Sequence, residues 1–143
     1  MDPSLSEIIY CSRASHTNAD PIEHKIAKIV AVGRLNNERD QITGALLFAG
    51  GYFAQVIQGP TEALERLFAR IGTDNRHHDV TLLSRGTTAR TFPEWAMGLT
   101  ATGEEEAAAT VLLARAVDTG DAALAGEIRA LLRQSVARNL IWG

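Results

Sequence analysis

The segment Asn36–Pro60 constrains the fold more than any other part of the chain, because it reads as two strands joined by a glycine turn. Gly50–Gly51 can adopt the positive φ angles that a tight hairpin requires. Alternation places one set of residues on a single face of the first strand, namely Ile42, Gly44, Leu46 and Phe48. In the second strand, Gln55 shares a face with Phe53 and Ile57. If this face is the core face, the Gln55 amide needs hydrogen-bond partners, since burying it unpaired costs roughly 1–3 kcal/mol.

The segments that precede and follow this hairpin predict another strand and two helices. Glu7–Ser12 carries apolar residues on both strand faces, which is typical of a central strand that is covered on both sides. Asp20 and the following proline form an N-cap and a first helical position. A second helix starts at Gly59–Glu62. The two apolar stripes are Ile22, Ile26, Ile29 and Val30 in the first helix, and Leu64, Leu67, Phe68 and Ile71 in the second.

Two more strands complete the pattern. A polar turn at residues 75–79 leads into the strand Val80–Arg85, and the last strand is Glu94–Ala101. We expect one face of the last strand to carry Trp95, Met97 and Leu99. The order predicts an α+β fold with the ferredoxin-like arrangement βαββαββ, in which a five-stranded mixed sheet has two helices on one face.

The composition changes after residue 101, which divides the chain into a domain at 1–101 and a helical extension at 102–143. Thr102 and Glu105 form a capping box at the start of an alanine-rich helix. A second amphipathic stripe follows, formed by Leu124, Ile128, Leu131, Leu132 and Val136. We expect these two helices to cover the opposite face of the sheet, where Ile9, Cys11 and Val56 need burial.

Charge and residue usage exclude several classes of protein. The net charge of -3 argues against nucleic acid as the main partner. The single cysteine, Cys11, excludes an internal disulfide framework and a cysteine-based zinc site. We expect no metal site at His77 and His78 either, because adjacent side chains diverge in an extended segment. The chain shows neither a signal peptide nor a membrane-spanning run, so we expect a soluble, cytoplasmic protein.

Six motifs occur in a fixed order along the chain. They are IIYCS around Tyr10, Asn36–Asn37, ITGALLF, GGYFAQVIQGP, RIGTDNRH and WAMG. Together they resemble the BLUF domain, a photoreceptor module named for "blue light using flavin", over residues 5 to 101. The resemblance implies a noncovalently bound FAD, with FMN as the alternative, and places the flavin on the face that carries the first helix pair.

The resemblance also implies which residues surround the flavin. Ile29 and Ile71 would flank the ring, and Asn36 and Asn37 would hydrogen-bond its polar edge. Further candidates around the ring edge and ribityl chain are Arg70, Asp74, Arg76 and His77. Gln55 would bond to both the flavin and Tyr10, with Trp95 and Met97 close by; which of the last two faces the flavin is left open.

In the mechanism that this family implies, Tyr10 gives an electron and a proton to the light-excited flavin. Gln55 can relay the proton or flip, because an amide carries both donors and an acceptor. The rearranged hydrogen bonds shift the flavin absorption to the red and move the last strand and the C-terminal helices. The signal is then expected to reach a separate downstream protein or to change a homo-oligomer, and we expect no enzymatic activity.

The chain departs from the family pattern at three positions, and ordinary readings of the motifs remain open. Gly33 stands where serine is frequent, Gln58 replaces the usual glutamate and Ala96 replaces a frequent serine. Tyr10 alone could be an ordinary core tyrosine, and Arg70 with Asp74 could be a surface ion pair of the helix. The alternative functions are a small flavin-dependent enzyme and a cofactor-free ferredoxin-like interaction domain.

Overall fold

The structure, a computed structural model, describes residues 5–15, 41–74, 76–93, 95–101 and 103–142, with only the backbone described at residues 95, 97, 98 and 139–142. The strands are β1 Leu5–Ala14, β2 Thr43–Ala49, β3 Tyr52–Pro60, β4 His77–Thr87 and β5 Trp95–Thr100. The helices are α1 Thr61–Gly72, α2 Gly103–Thr119 and α3 Ala125–Trp142, with a short 3₁₀ turn at Ala122–Leu124. The predicted helix from Asp20 and the predicted cap at Thr102 lie outside the described residues.

The five strands form one mixed sheet in the order β4-β1-β3-β2-β5. The β2–β5 pair is parallel and the other three pairs are antiparallel. Gly50 and Gly51 have φ angles of 56° and 89°, so the predicted hairpin turn between β2 and β3 is confirmed. The predicted α+β class and the five-stranded mixed sheet are also confirmed.

Each face of the sheet carries its own apolar core. On one face, Ile9, Cys11 and Val56 pack with Leu113 of α2 and Ile128 of α3. This is the packing predicted for the apolar stripe of the C-terminal helices. Helices this short are stable in water only when such a stripe is buried. The other face carries Ile8, Tyr10, Ile57, Ala63 and Leu64, with α1 packed above them.

Two local predictions are wrong. Residues 77–79 belong to β4 rather than to a polar turn, because the backbone of β4 continues to pair with β1 up to Ala14 opposite His77. Asp79 has a φ of 54°, and the register of β4 shifts beside it. In β5 the regular alternation fails, because β5 advances by three residues from Ala96 to Leu99 while β2 advances by two. Leu99 therefore packs in the same core as Ala96.

Every helix in the described part of the chain lacks either the length or the apolar character that crossing a bilayer requires.

Candidate functional site

Tyr10 and Gln55 form a buried hydrogen-bonded pair at the centre of the sheet face under α1. The two residues lie directly opposite each other in the antiparallel pairing of β1 and β3. Their exposed fractions are 3% and 5%. The Tyr10 hydroxyl donates a hydrogen bond to Oε1 of Gln55. The amide that alternation places on a core face thus has a phenol as one of its partners.

The surroundings of Tyr10 keep its hydroxyl protonated. Burial raises the pKa of Tyr10 far above its usual value, and the nearby Cys11 and Asp74 raise it further. An isolated phenolate is therefore strongly disfavoured at this position. Loss of the hydroxyl proton alone would leave that phenolate, so proton loss at Tyr10 has to accompany loss of an electron. Oε1 of Gln55 is the acceptor to which the hydroxyl is bonded.

Aromatic rings surround the pair. The Phe68 ring lies 5.8 Å from the Tyr10 ring with a tilted orientation, and the His77 ring lies edge-on at 6.1 Å. Phe53 contacts both the His77 ring and the Phe48 ring, at centroid distances of 6.4 Å and 5.3 Å. Such tilted and edge-on contacts are favourable for aromatic pairs, and they hold the rings beside the hydrogen bond in fixed positions.

His77 joins the end of α1 to the strand that carries Tyr10. Its Nε2 atom lies 2.7 Å from the carbonyl oxygen of Ile71, and its Nδ1 atom lies 2.8 Å from Oγ of Ser12. Because a carbonyl can only accept, Nε2 carries a proton and donates to Ile71, while Nδ1 is hydrogen-bonded to the Ser12 hydroxyl. Ser12 is fully buried. Sequence reasoning missed this role of Ser12, although its position two residues after Tyr10 places it on the same strand face.

Asp74 and Arg76 form an ion pair just after α1. The Asp74 carboxylate accepts hydrogen bonds from the Arg76 backbone N–H and from Nε, each at 2.9 Å. The bonds from Arg76 lower the pKa of Asp74, and the bond to Asp74 raises the pKa of Arg76. The structure therefore pairs Asp74 with Arg76. The sequence had suggested an ion pair between Asp74 and Arg70, and the Arg70 side chain is exposed at the end of α1.

The structure brings together part of the predicted flavin site. Four of its residues lie close together at the end of α1, namely Ile71, Asp74, Arg76 and His77. Ile71 packs against the core that contains Tyr10, and the His77 ring contacts the Tyr10 ring. Ile29, Asn36 and Asn37 fall outside the described residues. The backbone of β5 pairs Trp95 with Gly44, but the side chains of Trp95 and Met97 are not described.

The chemistry of the described residues fits a flavin. Apolar and aromatic side chains suit a flat ring, and the Gln55 amide offers both donors and an acceptor to its polar edge. Arg70 supplies positive charge in the last turn of α1, and Arg76 beside it is paired with Asp74. Cys11 lies in the core on the other face of β1, as expected, and burial raises the pKa of its thiol to about 12. No group of three or more metal-ligating side chains occurs among the described residues.

Comparisons with known proteins also indicate a flavin-binding protein. A sequence profile described as "BLUF: Sensors of blue-light using FAD" matches residues 5–98. The photoactivated adenylate cyclase subunit alpha of Euglena gracilis is 33% identical over 97 residues, which are 67% of this chain and 9% of that protein. The dark state structure of BlrB, a BLUF protein, matches with a TM-score of 0.72 and 33% identity, covering 96% of this chain and 98% of BlrB.

A third match includes a flavin in its description. Klebsiella pneumoniae BlrP1 with FMN and cyclic diGMP matches with a TM-score of 0.50 and 38% identity, covering 60% of this chain and 22% of that one. This chain therefore spans a small part of the cyclase subunit and of BlrP1, but nearly the whole of the BlrB structure.

Proposed function

The chain belongs to the BLUF family of flavin-binding blue-light sensors, and we propose that its Tyr10–Gln55 pair is the photoactive element of such a sensor. The observation that carries the proposal is the buried hydrogen bond from the Tyr10 hydroxyl to Oε1 of Gln55. The ordinary reading of Tyr10 as a core tyrosine predicts a bond to backbone, whereas its hydroxyl bonds to the side chain of Gln55.

The proposed cofactor is FAD, as in the description of the family, with FMN as the alternative that the BlrP1 structure contains. Residues at the end of α1 would hold it, namely Arg70, Ile71, Asp74, Arg76 and His77, together with Ile29, Asn36 and Asn37. When bound, the flavin absorbs blue light and supplies an excited state that oxidises a phenol.

Tyr10 and Gln55 then act together. Tyr10 would give an electron to the excited flavin, and its hydroxyl proton would move to Oε1 of Gln55, because a buried site does not tolerate the charge that electron loss alone would leave. The Gln55 side chain can pass the proton on from its nitrogen or rotate, and in either case its hydrogen-bond pattern is reversed. The electron and the proton would then return to Tyr10, which leaves the phenol and the flavin chemically unchanged, so the lasting product of illumination is a new set of hydrogen bonds at Gln55.

The output is proposed to leave through β5 and the C-terminal helices. In this division residues 1–101 are the flavin-binding domain, and 102–143 are the extension whose apolar stripe packs on the sheet. We propose that the chain has no enzymatic activity of its own and acts through a downstream protein or through a homo-oligomer. In the cyclase relative, the region that matches this chain is 9% of the protein, and the remainder lies outside the match.

A visible absorption spectrum in the dark and under blue light tests the proposal. We expect a yellow protein whose flavin band moves to the red on illumination and recovers in the dark. Tyr10→Phe should stay yellow and lose the shift. Tyr52→Phe is the matched control, because the Tyr52 hydroxyl accepts from Arg13 and lies among residues of the opposite core.

Four results would separate the parts of the proposal. A normal shift in Tyr10→Phe would remove Tyr10 from its role, and a colourless protein after expression with ample flavin would favour a cofactor-free interaction domain. Chromatography of the flavin released by denaturation should give FAD, and FMN as the main product would contradict that assignment. Rapid bleaching of the flavin by NADH would favour the small flavin enzyme.

A further inference from the structure

Gln58 makes four hydrogen bonds in a position where its side chain is fully buried. Its Nε2 donates to Oε2 of Glu7 at 2.7 Å and to Oγ1 of Thr91 at 2.8 Å. Its Oε1 accepts from the backbone N–H groups of Thr91 and Phe92, each at 3.0 Å. These bonds use both donors and both lone pairs of the amide, so the position of Gln58 is fully determined by its partners.

These partners join the segment before β5 to the centre of the sheet. Thr91 and Phe92 lie three or four residues before β5, and the Phe92 side chain is buried in the core under α2 and α3. Glu7 lies directly opposite Gln58 in the β1–β3 pairing. The amide of Gln58 therefore holds the entrance of β5 against β3 and β1.

Glu7 extends this connection to the last helix. Its other carboxylate oxygen, Oε1, accepts a hydrogen bond from the Arg129 guanidinium of α3. The Glu7 side chain is 6% exposed and that of Arg129 is 36% exposed, so the pair is shielded on the Glu7 side. Hydrogen bonds between charged groups are stronger than neutral ones, so the bond between Glu7 and Arg129 ties α3 firmly to β1.

We propose that Gln58, Glu7 and Arg129 form a relay that couples the position of the β5 entrance to that of α3. A displacement of β5 moves the backbone N–H groups of the segment before it, and Gln58 must follow because all its bonds are engaged. Glu7 is bonded through one oxygen to Gln58 and through the other to Arg129, so the displacement reaches α3 by hydrogen bonds as well as by core packing. Gln58 is a positioning residue in this scheme.

The relay explains why glutamine suits position 58 in this chain. A glutamate there could not donate to Glu7, and two carboxylates would face each other in a buried site. With glutamine, the negative charge of Glu7 is left available for Arg129. The residue that looked like a departure from the family pattern is therefore matched by a glutamate and an arginine elsewhere in this chain.

This inference rests on the proposed light response, and the experiment keeps the two apart. Amide hydrogen exchange of the full-length, flavin-loaded protein would be measured in the dark and under blue light, with the flavin absorption recorded on the same samples. We expect illumination to change the exchange of α3 in the unmodified chain. Arg129→Gln should keep the flavin shift and lose the change in α3, and Glu7→Gln should give the same result with a nearly isosteric replacement.

Glu105→Gln is the matched control, because it removes the carboxylate that pairs with Arg138 of α3 without touching the relay. This variant should keep both the flavin shift and the light-dependent change in α3. An α3 response of normal size in Arg129→Gln and Glu7→Gln would overturn the relay, as would an unchanged α3 in an unmodified chain whose flavin band shifts. Absence of the flavin shift in the unmodified chain would instead contradict the proposed function.

Discussion

Replacing Gln58 with glutamate is expected to destabilise the folded protein in a pH-dependent way. The substitution keeps the size of the side chain and removes the two donors that Nε2 supplies to Glu7 and Thr91. The Thr91 hydroxyl can turn and donate to the new carboxylate, but Glu7 cannot, because an ionised carboxylate only accepts. The cost therefore comes mainly from the contact between residues 7 and 58.

The size of the effect follows from burial and charge. A hydrogen bond to a charged partner contributes roughly 1.5–3 kcal/mol, and leaving buried like charges together adds to that loss. We expect the free energy of unfolding to fall by about 3–5 kcal/mol above neutral pH, as for other broken buried charge pairs. This is a large part of the roughly 5–15 kcal/mol that stabilises a typical domain.

The dependence on pH has a definite sign. In folded Gln58→Glu, one of the two carboxyl groups should hold a proton and donate it to the other, while in the unfolded chain both ionise near the ordinary value of about 4.3. Above that value the folded variant binds more protons than the unfolded chain, so its stability falls as the pH rises. At acidic pH the variant should therefore approach the stability of the unmodified chain.

Urea unfolding followed by circular dichroism, at several pH values and with the same saturating flavin, measures this effect. Gln134→Glu is the control, because the same chemical change at an exposed position of α3 should have little effect. Equal stability of Gln58→Glu and the unmodified chain at all pH values would show that the amide of Gln58 does not have the partners described here.

Three further predictions concern the core under α2 and α3 and the hairpin between β2 and β3. Ile128→Ala should reduce the free energy of unfolding by about 2–5 kcal/mol, because Ile128 of α3 is fully buried in the core between the helix and the sheet. A change below about 1 kcal/mol would contradict that packing. Burial raises the pKa of the Cys11 thiol to about 12, so a thiol reagent should modify it in denaturant and not in the folded protein; rapid labelling of the folded protein would contradict its burial. Both Gly50→Ala and Gly51→Ala strain a positive φ angle, but Gly50→Ala should lower the thermal denaturation temperature more, because its Cβ would clash with the Thr110 side chain, whereas nothing lies within 4 Å of a Cβ at Gly51. Equal losses would argue against that contact.

The sequence predicted most of the fold because the relevant signals are local. Period-two alternation located the hairpin strands, the Gly50–Gly51 turn fixed how they pair, and the period of the C-terminal stripe identified the face that α3 buries. The sequence did not predict that β4 starts at His77, because β4 is an edge strand and a polar sequence is compatible with both an edge strand and a turn. The extra residue in β5 was missed because a bulge has no signal in the alternation of side chains.

The site was predictable to a smaller extent. Alternation placed the Gln55 amide on a core face, but its partner Tyr10 is 45 residues away and was named only through the resemblance to the family. The bond between Ser12 and His77 and the relay from Gln58 to Arg129 depend on tertiary contacts across 65 and up to 122 residues. No local pattern encodes such contacts. The roles of the predicted flavin-binding residues remain predictions.

An infrared difference spectrum between light and dark, recorded on flavin-loaded protein with isotope-labelled glutamine, tests most directly whether light rearranges the hydrogen bonds of Gln55. We predict that the carbonyl band of the Gln55 amide moves on illumination, returns in the dark and does not move in Tyr10→Phe. Glutamine bands that are identical in light and dark, in a sample whose flavin absorption shifts, would contradict the role assigned to the Tyr10–Gln55 pair.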